Sequence, residues 1–139
     1  MQIHDKKSKK LAYTLGSLQL FIGLGAVGGG LALVLQPSGA NLDMPLEMLR
    51  HSPFMDFMIP GLFLLIVNGL GSIAGSVLSF RGRPWAAQAA LLLGAFLVLW
   101  IIIQVFWIRA FHWLHALYLI LGIIELVLGG LLRKSAPVS

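Results

Sequence analysis

The sequence predicts an all-α integral membrane protein, an antiparallel four-helix bundle with a short interfacial helix in its first outer loop. Hydrophobic residues make up 58% of the 139 residues and charged residues only 11%, whereas soluble domains carry about 25% charged residues. The apolar residues form four long runs. Most basic residues lie before the first run, between the second and third, and after the fourth. We therefore expect a single transmembrane domain over residues 1–139.

Each apolar run is long enough for a helix to cross a membrane. A helix rises about 1.5 Å per residue, so about 20 residues cross the roughly 30 Å of hydrocarbon. Because backbone polar groups cannot stay unpaired in lipid, each run is expected to be helical. The predicted spans are residues 11–35, 58–80, 85–108 and 112–132.

The predicted first outer loop covers residues 36–57. Within it, the stretch DMPLEMLRH, residues 43–51, is typical of a short helix, because Asp43 can cap it and Pro45 suits its first turn. Its leucines can face lipid while Glu47 faces water, so we expect this helix to lie along the outer interface.

The other two connections are short. The stretch RGRP, residues 81–84, joins the second and third spans, and a similar connection around Arg109 joins the third and fourth. Short loops require consecutive helices to be antiparallel neighbours. Pro60 lies early in the second span, where we expect it to bend the helix rather than end it.

The basic residues predict the orientation, because lysine and arginine near helix ends favour the cytoplasm. Four crossings place eight of the ten basic residues on the side of the two termini. These are Lys6, Lys7, Lys9, Lys10, Arg81, Arg83, Arg133 and Lys134. Only Arg50 and Arg109 fall on the other side. We expect both termini to be cytoplasmic in a cell (inner) membrane, with the first loop facing outward.

Small residues at helical spacing predict close contacts between helices, because they let backbones approach and polar ones can form hydrogen bonds across the contact. In the second span Gly71 and Gly75 are four residues apart, and Gly25 and Gly29 form a GxxxG pair in the first. The predicted packing residues are Gly25, Gly29, Gly71, Gly75, Gly122 and Gly129. The spacing does not distinguish contacts within one chain from contacts between chains.

A single carboxylate interrupts the fourth span. Glu125 lies in LGIIELVLGG, residues 121–130, where the other residues are apolar or glycine. A charged carboxylate at the centre of a membrane costs at least about 2.5 kcal/mol, and none of the four predicted spans contains a lysine or arginine that could pair with it. We therefore expect the carboxyl to avoid lipid and to form hydrogen bonds inside the bundle as a neutral group.

The other polar residues of the spans provide candidate partners for this carboxyl. The rise per residue places Gln19, Ser72 and Glu125 about 12 to 13 Å from the nearest charged helix end, with Asn68 one turn nearer the centre. Tyr118 shares a helix face with Glu125. These five residues form the predicted intramembrane polar site. Two interpretations stay open: an interhelical hydrogen bond that stabilises the bundle, or a proton-coupled or cation-binding site.

The sequence lacks the patterns of common catalytic and cofactor sites. Without cysteine it cannot perform thiol–disulfide chemistry or attach haem through CxxCH. The motifs GxSxG and HExxH and a phosphate-binding loop are absent. His112 and His115, in HWLH, lack a third fixed metal ligand. We expect no enzyme activity, cofactor, metal site or nucleic-acid partner.

The run PSG, a short amphipathic stretch and then SPFMDFMIPGLFLLIVNGLGS resemble a group of small uncharacterised bacterial four-span membrane proteins. The resemblance covers nearly the whole chain and implies the same membrane topology, but it brings no activity and no site residues. Two other four-span groups differ from this sequence. Disulfide-forming membrane oxidoreductases need cysteine pairs, and small multidrug exporters carry their membrane glutamate in the first span, where this chain has Gln19.

We expect a non-enzymatic accessory or interaction subunit that contacts the lipid bilayer and, through its glycine and serine faces, another membrane protein or a second copy. The alternative is a small proton-coupled transporter or channel-like protein that uses Glu125. A water-filled cavity that reaches Glu125 would favour transport. A closed bundle with an exposed glycine strip would favour a partner.

Overall fold

The computed structural model describes residues 6–42, 44–109 and 113–135, and this part of the chain is all-α. Within these ranges, four helices are long and apolar enough to cross a membrane, which confirms that part of the predicted fold. They are α1 (Lys6–Leu35), α2 (Met58–Phe80), α3 (Ala86–Ile108) and α4 (Trp113–Ser135). The predicted cap residue Asp43 and His112 of the HWLH pair lie outside the described residues.

Three buried apolar clusters follow one another along the bundle. The first joins the start of α1 to the start of α3 and the end of α4, through Ala12, Ala86 and Leu132. The second lies in the middle, around Ile22 of α1 and Leu97 of α3. The third, described below, lies under the first loop. The end of the bundle with the first cluster also carries most of the basic residues, and we call it the basic end.

Helices α1 and α2 approach each other closely at glycines. Gly16, Gly23 and Gly30 are seven residues apart, about two turns, so they lie on one face of α1. A Cβ on Gly30 would lie 2.6 Å from the backbone nitrogen of Leu65, and a Cβ on Gly23 would lie 3.0 Å from the carbonyl oxygen of Gly69. Only glycine lets the two backbones come this close.

The middle of α2, Leu64–Leu70, is π-helical. The backbone N–H of Gly71 donates to the carbonyl oxygen of Ile66, five residues back. Pro60 does not end the helix, because it lies in the first turn, where its missing N–H leaves no bond unmade. The irregular geometry therefore lies one turn after the proline, in the segment that packs against the glycines of α1.

Glycines also bring α3 close to its neighbours. A Cβ on Gly94 of α3 would lie 3.1 Å from the carbonyl oxygen of Gly122 on α4, and a Cβ on Gly129 would lie 3.0 Å from the Cβ of Ala90. On the other side of α3, Leu93 fills the space beside Gly75 of α2. Contacts thus lead from α1 to α2, from α2 to α3 and from α3 to α4.

The first loop folds back onto the bundle. It contains two short 3₁₀ turns, Ala40–Leu42 and Leu46–Leu49, and the second lies within the helix predicted for residues 43–51. Leu49 is only 7% exposed and packs with Leu33 and Phe57, whereas Leu46 is 44% exposed. Only one of the two leucines therefore faces outward, and the other covers the end of the core.

Candidate intramembrane polar site

A chain of hydrogen bonds joins α1, α2 and α4 inside the bundle. The Nε2 of Gln19 donates to Oε2 of Glu125 at 3.2 Å, and the Oγ of Ser79 donates to Oε1 of Gln19 at 2.7 Å. All three residues are 0% exposed. We call them the polar triad. The triad connects α4 back to α1, so the four helices form a closed set of neighbours.

Gly75 provides the space for the amide of the triad. It lies one turn before Ser79 on α2, and a Cβ at this position would lie 3.0 Å from Nε2 of Gln19 and 2.7 Å from Cδ1 of Leu93. The absence of a side chain at Gly75 therefore leaves room for both Gln19 and Leu93. The same glycine serves the helix contact and the hydrogen-bonded chain.

One carboxyl oxygen of the triad is unused. Among the described residues, Oε1 of Glu125 has no hydrogen-bond partner. The residue is 0% exposed, so no water-sized space lies beside it. A buried polar group without a partner costs about 1 to 3 kcal/mol, and a charged one costs more. Neither packing nor hydrogen bonding explains why this oxygen is buried.

The structure brings together Gln19 and Glu125 of the five residues predicted for the polar site. Asn68 and Ser72 are each 2% exposed on the buried side of α2. The Nδ2 of Asn68, in the π-helical segment, has no hydrogen-bond partner among the described residues. Asn68 and Ser72 therefore extend a buried polar row along α2, but the hydrogen bonds of Gln19 go to Glu125 and Ser79.

Tyr118 lies farther along α4 and faces α1. It packs against the middle apolar cluster, and its hydroxyl lies 2.6 Å from the position that a Cβ on Gly25 would take. The hydroxyl therefore occupies the gap left by that glycine. The spacing predicts that Tyr118 and Glu125 share one face of α4. In the structure both side chains face α1.

Ser79 was not among the site residues predicted from the sequence. Depth counted in residues from the nearest charge favours Ser72 as the partner at the level of Glu125. In the structure α1 begins at Lys6 and α4 continues to Ser135, so Lys10 and Arg133 lie inside helices, whereas Arg81 directly follows the end of α2. Ser79 continues the four-residue spacing of Gly71 and Gly75, and that row was the available signal.

The predicted packing glycines differ in how closely they contact their neighbours. A Cβ would lie 3.2 Å or less from a neighbouring side chain at Gly25, Gly71, Gly75, Gly122 and Gly129. At Gly29 the nearest atom, on Leu64, would be at an ordinary 3.4 Å. An added Cβ would lie closest to the backbone of another helix at Gly30. Gly30 was not among the predicted packing residues, although it continues the seven-residue spacing of Gly16 and Gly23.

One face of α1 remains uncovered over most of the helix. Its residues follow the alternating spacing of four and three that keeps side chains in line on a helix. We call this face the α1 strip; it consists of Ser17, Phe21, Leu24, Gly28, Leu31 and Leu35, all exposed. Leu24 is 59% and Leu35 is 72% exposed, and a Cβ on Gly28 would have no atom within 4 Å. A side chain at Gly28 would therefore meet no other helix in the described part of the chain.

No family model, no curated protein and no solved structure matches this chain. The resemblance to small bacterial four-span membrane proteins therefore stays a prediction. What the protein does is inferred from its own geometry, chiefly from the polar triad and the α1 strip.

Proposed function

We propose that this chain is a small, non-enzymatic subunit of a bacterial inner membrane that packs a transmembrane helix of a partner membrane protein against the α1 strip. In this proposal the four helices form an antiparallel bundle with both termini in the cytoplasm. The first loop lies on the outer surface, with the Leu46–Leu49 turn at the interface.

The contacts between α1 and α2 support the antiparallel arrangement. Gly16, near the start of α1, faces the ring of Phe80 at the end of α2, whereas Gly30 faces Leu65 near its start. The order of contacts is therefore opposite along the two helices. The basic residues gather at the end where α1 begins and α2 ends, which supports cytoplasmic termini.

The contrast between the α1 strip and the polar triad carries the functional proposal. The triad is closed, because its three residues are 0% exposed and their hydrogen bonds lie inside the bundle. The strip is open, and its central residue, Gly28, leaves a gap between the exposed side chains of Leu24 and Leu31. A gap of this kind lets a second helix backbone approach closely in lipid.

The chemistry of the strip indicates the kind of partner. Apart from Ser17 at one end, its side chains are apolar or absent, and its charged neighbours lie only at the start of α1. In lipid, the association of such a face with another helix is stabilised by close van der Waals packing rather than by the hydrophobic effect. The matching partner is an apolar transmembrane helix that inserts a side chain beside Gly28.

A cross-linking experiment tests this surface. The chain has no cysteine, so a photoreactive group on a single introduced cysteine reports one position only. At Leu31, in the strip, we expect a discrete cross-linked protein in membranes of the native host. At Leu92, which is 73% exposed on α3, we expect none. An adduct of twice the chain mass would identify the partner as a second copy.

The Gly28→Leu variant is the matched test of the gap. We expect it to fold normally, because the position is open, and to lose at least about 90% of the cross-linked product, because the partner can no longer approach. The folded state is checked by its unfolding curve in detergent. Equal products from Leu31 and Leu92, or a product that Gly28→Leu leaves unchanged, would remove the α1 strip as a partner surface.

A second candidate function rests on Oε1 of Glu125, which has no hydrogen-bond partner in the described part of the chain. A proton or cation carrier in the membrane needs such an oxygen, and intramembrane carboxylates often serve this purpose. The burial of the carboxyl favours the interaction role, because transport needs access to the carboxyl from water and Glu125 is 0% exposed. The two functions give opposite results when Glu125 is replaced.

For Glu125→Gln we expect normal assembly and no change in proton flux across proteoliposomes. The two side chains have nearly the same size, and glutamine retains an oxygen that can accept from Gln19. Flux is followed with an internal pH-sensitive dye, and assembly by gel filtration in detergent. A wild-type flux that disappears in a normally assembled Glu125→Gln protein would establish the transport role instead.

A further inference from the structure

A pocket opens at the basic end, between the start of α1 and the end of α2. It has a volume of about 120 Å³ and is lined by residues from both helices and from the turn that follows α2. Lys9 and Arg81 contribute the two cationic side chains of its lining, and Ser79 of the polar triad lies at its inner side. We call it the basic-end pocket.

No carboxylate in the described part of the chain neutralises this pocket. Of the described acidic residues, Glu47 and Asp56 lie in the first loop, at the other end of the bundle, and Glu125 is buried and bonded to Gln19. Lys9 and Arg81 are both exposed. An anion that enters the pocket therefore meets two cations without a competing described carboxylate.

The remaining wall of the pocket is aromatic. The rings of Tyr13 and Phe80 lie with their centroids 6.3 Å apart, and both side chains are more than 40% exposed. Aromatic rings at the edge of a membrane lie at the level of the headgroups and upper acyl chains. The pocket thus combines two cations with an aromatic wall.

The hydroxyl of Ser79 does not supply a donor to this pocket, because its proton is directed to Oε1 of Gln19 at 2.7 Å. The donors must come from Lys9 and Arg81. A guanidinium presents paired N–H groups that match two phosphate oxygens, and an ammonium binds phosphate as a point charge. Both cations suit a phosphate group better than they suit a neutral headgroup.

We propose that the basic-end pocket binds the phosphate of an anionic phospholipid. Basic pockets between transmembrane helices on the cytoplasmic side are sites of acidic headgroups, and each cation near the surface strengthens binding about fivefold. The lipid tail would pass the rings of Tyr13 and Phe80. This site is separate from the α1 strip and does not depend on the partner proposed for it.

The test measures lipid binding by native mass spectrometry of the full chain released from detergent micelles. We expect dioleoyl-phosphatidylglycerol to bind more tightly than dioleoyl-phosphatidylcholine. In the Lys9→Gln/Arg81→Gln variant, its dissociation constant should rise roughly 30-fold, as two lost cations predict. The single variant Lys9→Gln should show a rise of about fivefold, and it serves as the test if the double variant does not fold.

The matched control is Lys10→Gln/Arg83→Gln. It removes two exposed cations from the same end, neither of which lines the pocket. We expect its dissociation constant to change by less than about threefold, because Lys10 and Arg83 do not line the pocket and so cannot donate directly to a bound phosphate. Equal weakening in both double variants, or equal binding of phosphatidylcholine, would overturn the proposal. Inorganic phosphate that binds as tightly as the lipid would also overturn it, because the site would then take the free anion.

Discussion

Gly30→Ala is expected to lower the free energy of unfolding by about 3 kcal/mol, because the added methyl group would lie at the backbone contact between α1 and α2. A Cβ at Gly30 would lie 2.6 Å from the backbone nitrogen and 2.7 Å from the Cα of Leu65. These are backbone atoms, so a rotamer change cannot relieve the overlap. The helices α1 and α2 would have to separate along the contact that includes Gly23.

Gly28→Ala is the matched control for this prediction. Gly28 lies two residues earlier on the same helix, and a Cβ there would have no atom within 4 Å. Its free energy of unfolding should not fall, because alanine also favours the helix relative to glycine. Both variants can be measured by unfolding in mixed micelles with increasing dodecyl sulfate, followed by circular dichroism. Equal stabilities would show that α1 and α2 are not in backbone contact at Gly30.

Gln19→Leu is expected to lower the free energy of unfolding by about 2 kcal/mol. Leucine has a similar size but cannot form hydrogen bonds, so the hydroxyl of Ser79 and the carboxyl of Glu125 would both lose their partner. Both groups are fully buried, and water cannot replace the amide. The expected loss therefore reflects two unsatisfied groups rather than a cavity.

A double-mutant cycle separates the hydrogen bond from general effects of the substitution. In Gln19→Leu/Glu125→Leu no buried carboxyl is left without a partner, so the double variant should be more stable than the sum of the single effects predicts. We expect a coupling energy of about 1 kcal/mol, in the range of hydrogen bonds between membrane helices. Strictly additive losses would mean that Gln19 and Glu125 do not interact.

The two predictions concern different faces of α1. Gly30 lies on the face that packs against α2, whereas Gln19 reaches both Ser79 on α2 and Glu125 on α4. The α1 strip, which includes Gly28, is a third face and remains uncovered. One helix thus holds two intramolecular contacts and presents the surface that we propose for a partner.

Much of the fold can be predicted from the sequence because it depends on local properties. The number of apolar helices follows from run lengths near 20 residues, and the four helices agree with that prediction. The ends of the helices differ more from the prediction, because the lysines near the start of α1 belong to the helix instead of preceding it. Polar side chains can extend a helix into the interface, so a change in composition does not mark the last hydrogen-bonded turn.

The candidate site depends on quantities that the sequence leaves open. Glu125 is recognisable because a carboxylate among apolar residues stands out in any membrane segment. Ser79 cannot be recognised in this way, because a serine near the end of a span can form a hydrogen bond equally well with water, with its own backbone or with a neighbouring helix. The bond from Ser79 to Gln19 depends on the relative height and rotation of α1 and α2. The π-helical segment Leu64–Leu70, which contains Asn68, changes that rotation along α2.

By itself, the sequence determined the helical class, the four apolar segments and the presence of an acid within the last of them, because each follows from the composition of a stretch about 20 residues long. Only the tertiary structure decided that Gly30 meets a backbone while Gly28 meets nothing, and that Gln19 connects Glu125 to Ser79. The reason is geometric. One residue turns a helix by about 100° and shifts it by about 1.5 Å, so neighbouring glycines face different surroundings that only the packing of the other helices can define.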